Sequence, residues 1–218
     1  MKAGQHIVSL SLGDAANPGA VVVVNPLTEF ERLQDDDGEW NWDKENFFEV
    51  NHAERFPPGY LNSATATCVS EIVSNKRLAK NGHLLVDISL TGVVAVRGFE
   101  RQGLHPKAFE LTHSGAEDRL GGQVPVRDVI AAAKDVQGTN RLKVAKDMEL
   151  AETLVTDLLA YDPQPMTRSL DLRGGRNSDL VHAIAVALWW ADDLTWGDWP
   201  RTEQRPLGGR GSGGWMGN

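Results

Sequence analysis

The sequence is poor in cysteine, with Cys68 as its single thiol. One cysteine forms no intramolecular disulfide and no cysteine-based zinc cluster, which predicts a reducing compartment. No run reaches the roughly 20 apolar residues that a membrane-spanning helix needs. The opening residues 1–20 are interrupted by Gly, Asp and Asn before the apolar core of a signal peptide can form. We therefore expect a soluble, intracellular protein.

An excess of basic residues is also missing, and the formal net charge is −8 at pH 7. Phosphate binding is largely electrostatic, so this charge argues at first against a nucleic-acid partner. The acidity is local, however, because residues 29–45 contain eight acids and two bases and so supply −6 of the −8. The remainder is nearly neutral and has room for a basic face, with these candidates: Arg97, Arg101, Lys107, Arg127, Lys134, Arg141, Lys143, Lys146, Arg173 and Arg176. Net charge therefore does not exclude nucleic acid.

Residue periodicity predicts an α/β domain over residues 1–195, followed by a Gly-, Arg- and Trp-containing flexible tail over 196–218. Three early strands in meander order, with residues 29–45 as an exposed excursion, precede strands separated by helices. This order predicts one mixed β-sheet, antiparallel in its first three strands and then parallel, with helices on both faces. The expected strands are His6–Leu12, Ala20–Val24, Asn46–Phe56, His83–Ser89, Lys107–Thr112, a short strand at 141–145, and a last strand or hairpin at Met166–Leu172. The expected helices are Ser63–Ser74, Pro125–Gly138, Met148–Tyr161 and an apolar helix that follows Asn177.

Two acids stand out by their position in apolar segments. Asp87 lies within the strand HLLVDIS, where an ionised carboxylate is costly unless it is paired or metal-bound. It is equally open to a simpler interpretation, an acid at a strand end that reaches solvent or a neighbouring N–H. Asp179 opens the apolar helix, where capping by Ser178 or Asp179, or attraction to the helix dipole, explains an acid without any metal.

A third acid on a first strand would complete a familiar arrangement. Carboxylates on a first strand, on a later central strand and at the start of a last helix hold two Mg²⁺ or Mn²⁺ ions for phosphodiester hydrolysis. Asp14 is the nearest acid to the first predicted strand. Glu71 and Glu110 are further candidates, with a solvated surface position as the simpler interpretation.

Six segments in order resemble the nuclease domain of phage terminase large subunits, a ribonuclease H-like family, and in particular stand-alone terminase-like proteins of prophages. The resemblance covers most of residues 6–191. The segments are SLGDAANPGA (11–20), ERFP (54–57), LLVDISLTGVV (84–94), VPVRDVI (124–130), NRLKVA (140–145) and NSDLVHAIAVALW (177–189). The resemblance implies a ribonuclease H-like fold and Mg²⁺- or Mn²⁺-dependent cleavage of packaged double-stranded DNA in a bacterial host cell. It also implies a separate terminase ATPase or portal component as a partner.

Carried over by this resemblance, the second and third catalytic carboxylates fall on Asp87 and Asp179. The first falls on Ser11, whose neutral hydroxyl is a poor Mg²⁺ ligand, and Asp14 is the candidate to replace it. The catalytic and metal-binding residues predicted from the sequence are therefore Asp87, Asp179 and Asp14. The Gly-rich segment HSGAEDRLGG lacks the Gly-Lys-Ser/Thr of a phosphate-binding loop, so we expect no ATPase motor in this chain.

Two hypotheses follow from the serine. The chain is a metal-dependent endonuclease completed by Asp14, or it is a catalytically degenerate module that keeps the fold and binds DNA or assembles with other components. The second hypothesis predicts that Ser11→Asp creates or strengthens metal binding. The first predicts that Asp14→Asn abolishes cleavage.

Overall fold

The computed structural model describes residues 6–34, 40–60, 62–75, 82–112, 122–161 and 178–196. Its strands are β1 (His6–Ser11), β2 (Gly19–Gln34), β3 (Trp40–Phe56), β4 (Gly82–Asp87), β5 (Lys107–Thr112), β6 (Gln123–Pro125) and β7 (Leu142–Val144). Its helices are α1 (Asn62–Val73), α2 (Val96–Glu100), α3 (Val126–Gly138), α4 (Ala151–Ala160) and α5 (Ser178–Trp196). The predicted strand at Met166–Leu172 and most of the predicted tail lie outside these residues.

Within the described ranges the strands form one sheet in the order β6-β5-β4-β1-β2-β3-β7. β1, β2 and β3 are antiparallel neighbours, whereas β4 lies parallel to β1, β5 to β4, β6 to β5 and β7 to β3. The mixed sheet predicted from the sequence is thus confirmed. β1 and β4 are central and covered on both faces, which is why their sequences are nearly continuous apolar runs.

Helices cover both faces of the sheet. On one face α3, α4 and α5 pack against side chains that include Ile7, Val22, Leu85 and Phe109. On the other face α1 and α2 pack against Val8, Leu10, Val21 and Val86. α5 is buried on every side from Asp179 to Ala191, as expected of a core helix that is apolar all round. No helix in the described part of the chain combines the length and apolar character that crossing a membrane demands.

β2 and β3 are much longer than the sequence predicted. The predicted end of β2 at Val24 is wrong, because backbone pairing with β3 continues to Gln34 opposite Trp40 and therefore runs through the acidic segment. β1 pairs with β2 only as far as Val24. Pro26 lies beyond the last β2 residue that pairs with β1. Because its side of β2 is an unpaired edge in the described part of the chain, the missing N–H of proline interrupts no pairing with β1.

Candidate functional site

One row of residues crosses the sheet at the carboxyl ends of β1 and β4. Backbone register places Ser11 beside Asp87 on one side and beside Ala20 on the other, and it places Ala20 beside Arg55. Residues directly opposite one another on neighbouring strands share a face. Ala20 belongs to the core beneath α5, so the row Asp87, Ser11, Ala20, Arg55 lies on the face that α5 covers.

Asp87 is a buried carboxylate at the end of β4. Its Oδ1 accepts hydrogen bonds from the backbone N–H of Ser89 at 2.9 Å and from the Ser89 hydroxyl. That hydroxyl oxygen in turn accepts the backbone N–H of Leu111 at 2.7 Å. Hydrogen bonds from Ser89 thus hold Asp87 at the end of the row. This agrees with the simpler interpretation of Asp87 as a strand-end acid that reaches a neighbouring N–H, and it leaves a metal-binding role untested.

Asp179 lies in the first turn of α5 and is 1% exposed. One guanidinium binds both of its oxygens: Arg55 Nε donates to Oδ2 at 2.7 Å, and Arg55 Nη2 donates to Oδ1 at 3.1 Å. This two-pronged geometry is the strongest form of an arginine–carboxylate pair. Asp179 therefore has a cationic partner within the chain, in addition to the favourable field of the helix N-terminus.

Arg55 also contacts a second acid. Its Nη2 donates to Asp157 Oδ2 of α4 at 3.2 Å, and the side chains of Arg55 and Asp157 are 27% and 12% exposed. Burial alone would lower the pKa of Arg55, but hydrogen bonds and the charges of Asp179 and Asp157 outweigh it and raise that pKa. The guanidinium is consequently a permanent positive charge that ties β3 to both α4 and α5.

Serine occupies the position to which the resemblance assigns the first catalytic carboxylate. Ser11 is fully buried, and so is Ser9, two residues earlier on the same face, whose hydroxyl oxygen has no hydrogen-bond partner within the described part of the chain. A hydroxyl adds no negative charge where the resemblance calls for a carboxylate. The register confirms that Ser11 and Asp87 are direct neighbours.

Asp14 lies in the loop between β1 and β2. Its Oδ1 accepts the backbone N–H groups of Ala16 at 2.8 Å and Asn17 at 2.7 Å, together with the Asn17 side-chain amide at 2.9 Å. Such contacts are typical of an Asx turn, in which the carboxylate organises its own loop. They are local contacts, and the metal-binding role predicted for Asp14 stays a prediction.

His182 lies one turn after Asp179 and is buried. Its Nε2 is 2.9 Å from the hydroxyl of Tyr161, and the two rings meet edge to face with centroids 5.6 Å apart. Of the other acids considered, Glu71 is exposed, and Glu110 accepts a hydrogen bond from Gln123 at 3.1 Å.

The resemblance implies a site for two divalent ions at this edge of the sheet. Such a site needs several carboxylates that converge. Among the described residues no group of three or more His, Cys, Asp and Glu side chains is placed to hold a metal ion. The row supplies Asp87 and a neutral serine, and both oxygens of Asp179 bind Arg55. As arranged, these residues do not fit a two-ion site, and the predicted metal-ligand roles of Asp87 and Asp179 stay predictions.

Sequence reasoning missed Arg55 as a member of this site. Arg55 was visible only as part of the ERFP segment, and its partner Asp179 lies 124 residues further along the chain. The one available signal was an arginine two residues after the apolar-face Ala53, near the end of a predicted strand. That signal indicates the face on which Arg55 lies but not its partner.

No protein-family model matches this chain, and no curated protein matches it. Among solved structures, the Mn-soaked terminase nuclease domain of human cytomegalovirus is similar over 88% of this chain and 86% of that domain, with 16% identity and a TM-score of 0.52. Another structure of that domain gives 15% identity and a TM-score of 0.49 over the same shares. The large terminase of bacteriophage HK97 gives 14% identity and a TM-score of 0.45, over 85% of this chain but 39% of the terminase. At such identities the likeness concerns the fold alone. Only the first of these structures has a TM-score above 0.5, so the comparison of folds uses that structure. Together with the sheet order, that likeness shows that this chain has the ribonuclease H-like fold of a viral terminase nuclease domain.

Proposed function

We propose that the chain is a nuclease-fold module of viral DNA packaging that contacts double-stranded DNA without cleaving it through a two-metal site. It works beside a separate terminase ATPase or portal component. The observation that carries this proposal is the buried pair of neighbours Ser11 and Asp87, in which a neutral hydroxyl stands beside the central-strand acid.

Charge supports the proposal. Asp87, Asp179 and Arg55 sum to −1, whereas a set of three acids without the arginine would supply −3. An ion about 2.1 Å from Asp179 Oδ2 would lie within about 5 Å of Arg55 Nε, which is 2.7 Å from the same oxygen. At an effective dielectric constant of about 20, the repulsion between charges of +1 and +2 at that distance is roughly 7 kcal/mol. The attraction of the ion to Asp179 offsets part of this repulsion, so the net effect is smaller, but Arg55 disfavours an ion at Asp179 for as long as the two are paired.

Double-stranded DNA is the partner suggested by the resemblance and by the fold. Several basic candidates are already paired within the chain: Arg141 with Asp135, Lys143 with Glu29, and Arg127 with Asp128. Arg97 and Arg101 are exposed and lie four residues apart, on α2 and directly after it. That spacing puts them on one side of a helical turn. We assign phosphate contacts to these two arginines.

A second candidate function is metal-dependent cleavage of double-stranded DNA by Asp87, Asp179 and Asp14. It is favoured by the fold likeness to a terminase nuclease domain that was soaked with Mn. It requires Arg55 to leave Asp179 and Asp14 to leave its turn.

Incubation with supercoiled plasmid at millimolar Mn²⁺ or Mg²⁺ separates the two candidates. We expect no nicking, together with binding of a labelled duplex that weakens as salt rises. Nicking that disappears in Asp87→Asn would refute the proposal in favour of the second candidate, and absence of duplex binding would refute the DNA-contacting role.

Duplex binding has its own matched variants. Arg97→Gln and Arg101→Gln should each reduce the slope of log affinity against log salt by about 1. Lys134→Gln is the control, because Lys134 is exposed on α3, on the opposite face of the sheet. An equal loss in all three variants would contradict the assignment of phosphate contacts to the two arginines.

A further inference from the structure

We infer that Arg55 and a divalent ion compete for Asp179, so that Arg55 is the resident cation of this site. The inference rests on the proposed function and adds a mechanism to it. A missing acid at position 11 weakens metal binding, and the arginine then holds the carboxylate that a metal would need.

The geometry of the pair supports competition rather than coexistence. Arg55 Nε and Nη2 take one oxygen each of Asp179, and the carboxylate is almost fully buried at the start of α5. A metal ion that used either oxygen would have to approach next to a donor N–H already in place. Since the same charge and the same lone pairs serve both cations, binding of one disfavours binding of the other.

Asp157 strengthens the hold of Arg55 on the site. It accepts from Nη2 at 3.2 Å and belongs to α4, whereas Asp179 belongs to α5. The guanidinium therefore has two anchors on different helices. Loss of the Asp157 anchor should loosen Arg55 and so favour a competing ion, although Asp157 itself is acidic.

The ERFP segment that contains Arg55 is part of the resemblance to metal-dependent nucleases, so an arginine here is compatible with metal chemistry. The number of acids then decides the competition. With an acid beside Asp87, an ion is attracted more strongly and competes better with the guanidinium. With Ser11 in that place, the guanidinium stays.

The competition has a reciprocal form that can be measured. If Arg55 opposes the ion, removing Arg55 must raise the affinity for the ion, just as a bound ion must weaken the pair between Arg55 and Asp179. Mn²⁺ is the probe, and free Mn²⁺ measured by electron paramagnetic resonance gives its affinity without any activity assay.

Four variants make the comparison. Ser11→Asp restores the missing acid and serves as the reference, and Ser11→Asp/Arg55→Gln removes the resident cation as well. Ser11→Asp/Asp157→Asn removes one anchor of Arg55. Ser11→Asp/Arg141→Gln is the control, since Arg141 forms an equally short ion pair of 2.7 Å with Asp135 and none with Asp179.

We expect Ser11→Asp/Arg55→Gln to bind Mn²⁺ about tenfold more tightly than the reference, which is inside the usual range for coupled sites. The Asp157 variant should show a smaller gain, and the Arg141 variant should equal the reference. If the Arg55 variant does not fold, as judged by circular dichroism, the Asp157 variant decides the question.

Equal or weaker Mn²⁺ binding after loss of Arg55 or of its Asp157 anchor would overturn the competition and leave Arg55 as a positioning residue. This outcome is separate from failure of the proposed function, which is read on the unmodified chain by plasmid nicking. An unmodified chain that nicks DNA while the variants still show the affinity order would refute the function and keep the competition.

Discussion

Arg55→Gln should destabilise the protein more than Asp179→Asn does, although both remove the same ion pair. Loss of Arg55 leaves a carboxylate that is 1% exposed without its bidentate partner. Breaking a buried pair in this way typically costs about 3–5 kcal/mol. Because Arg55 is 27% exposed, water relieves part of this cost, and we expect about 3 kcal/mol.

Asp179→Asn leaves the opposite partner behind. Arg55 keeps Asp157 at 3.2 Å and keeps contact with solvent, so the expected loss is about 1.5 kcal/mol, typical of a hydrogen bond to a charged group. In the double variant the penalty for an unpaired charge disappears. The stability losses of the two single variants, added together, should therefore exceed the stability loss of the double variant by about 1–3 kcal/mol.

Urea denaturation of the parent chain, the two single variants and the double variant measures this coupling energy. For a chain of this size, the melting temperature of Arg55→Gln should be lower than that of the parent by roughly 6–12 °C. The control is the same cycle on Arg141 and Asp135, where Asp135 is 64% exposed and a coupling below about 1 kcal/mol is expected. A greater loss of stability in Asp179→Asn than in Arg55→Gln, or a coupling energy at Arg55 no larger than that of the control, would contradict a buried ion pair of this strength.

Three further predictions concern other parts of the fold. Gly13→Ala should lower the stability of the fold by about 1–3 kcal/mol, because its Cβ would lie 2.5 Å from the backbone oxygen of Asn17. Gly98→Ala should raise stability by about 0.5–1 kcal/mol, because Gly98 is helical and a Cβ there would meet nothing within 4 Å. Thermal melts of both variants check this, and equal losses of stability would contradict it. Burial, then the charges of two nearby glutamates, raises the pKa of Cys68 to about 11. Native Cys68 should therefore react with iodoacetamide at pH 8 about tenfold more slowly than in urea, since a roughly 100-fold loss of thiolate is partly offset by its greater nucleophilicity; equal rates would contradict this. Burial, helped by the Lys107 charge, lowers the pKa of His83, so stability is fully present above the unfolded pKa of about 6.5 and falls as pH drops below it. Urea midpoints at about pH 7 and pH 5 should differ less in His83→Gln than in the parent chain.

The main strands and helices and the mixed character of the sheet followed from local patterns, because each predicted strand and helix is set by residues close in sequence. The buried run around Leu85 and the alternation in β5 both indicated strands without knowledge of their neighbours. The extension of β2 and β3 was not visible, since Pro26 and the acids of residues 29–45 oppose a strand on propensity alone. Pairing between the two strands outweighed that local preference.

The candidate site was predictable only in part. Asp87 and Asp179 could be selected because a carboxylate in an apolar segment needs a partner, but the identity of that partner depends on contacts far apart in sequence. Arg55 contacts Asp179 because the register of β3 against β2 sets the position of Arg55, and the packing of α5 on the sheet sets the position of Asp179. Neither is encoded by spacing, so the sequence did not predict that Arg55 binds Asp179.

The position of α5 at the end of the described chain determines when the core and the carboxylate site can be completed during folding. The helix that completes the buried core also carries Asp179, and it follows every described strand in the chain. During synthesis the face that holds Ile7, Leu85 and Phe109 is covered only by α3 and α4 until this helix emerges, and the apolar surface that stays exposed promotes aggregation. The β3 arginine has no Asp179 to bind before the same moment. Closure of the core and completion of the carboxylate site are therefore one event, and a chain cut short of α5 would lose both together.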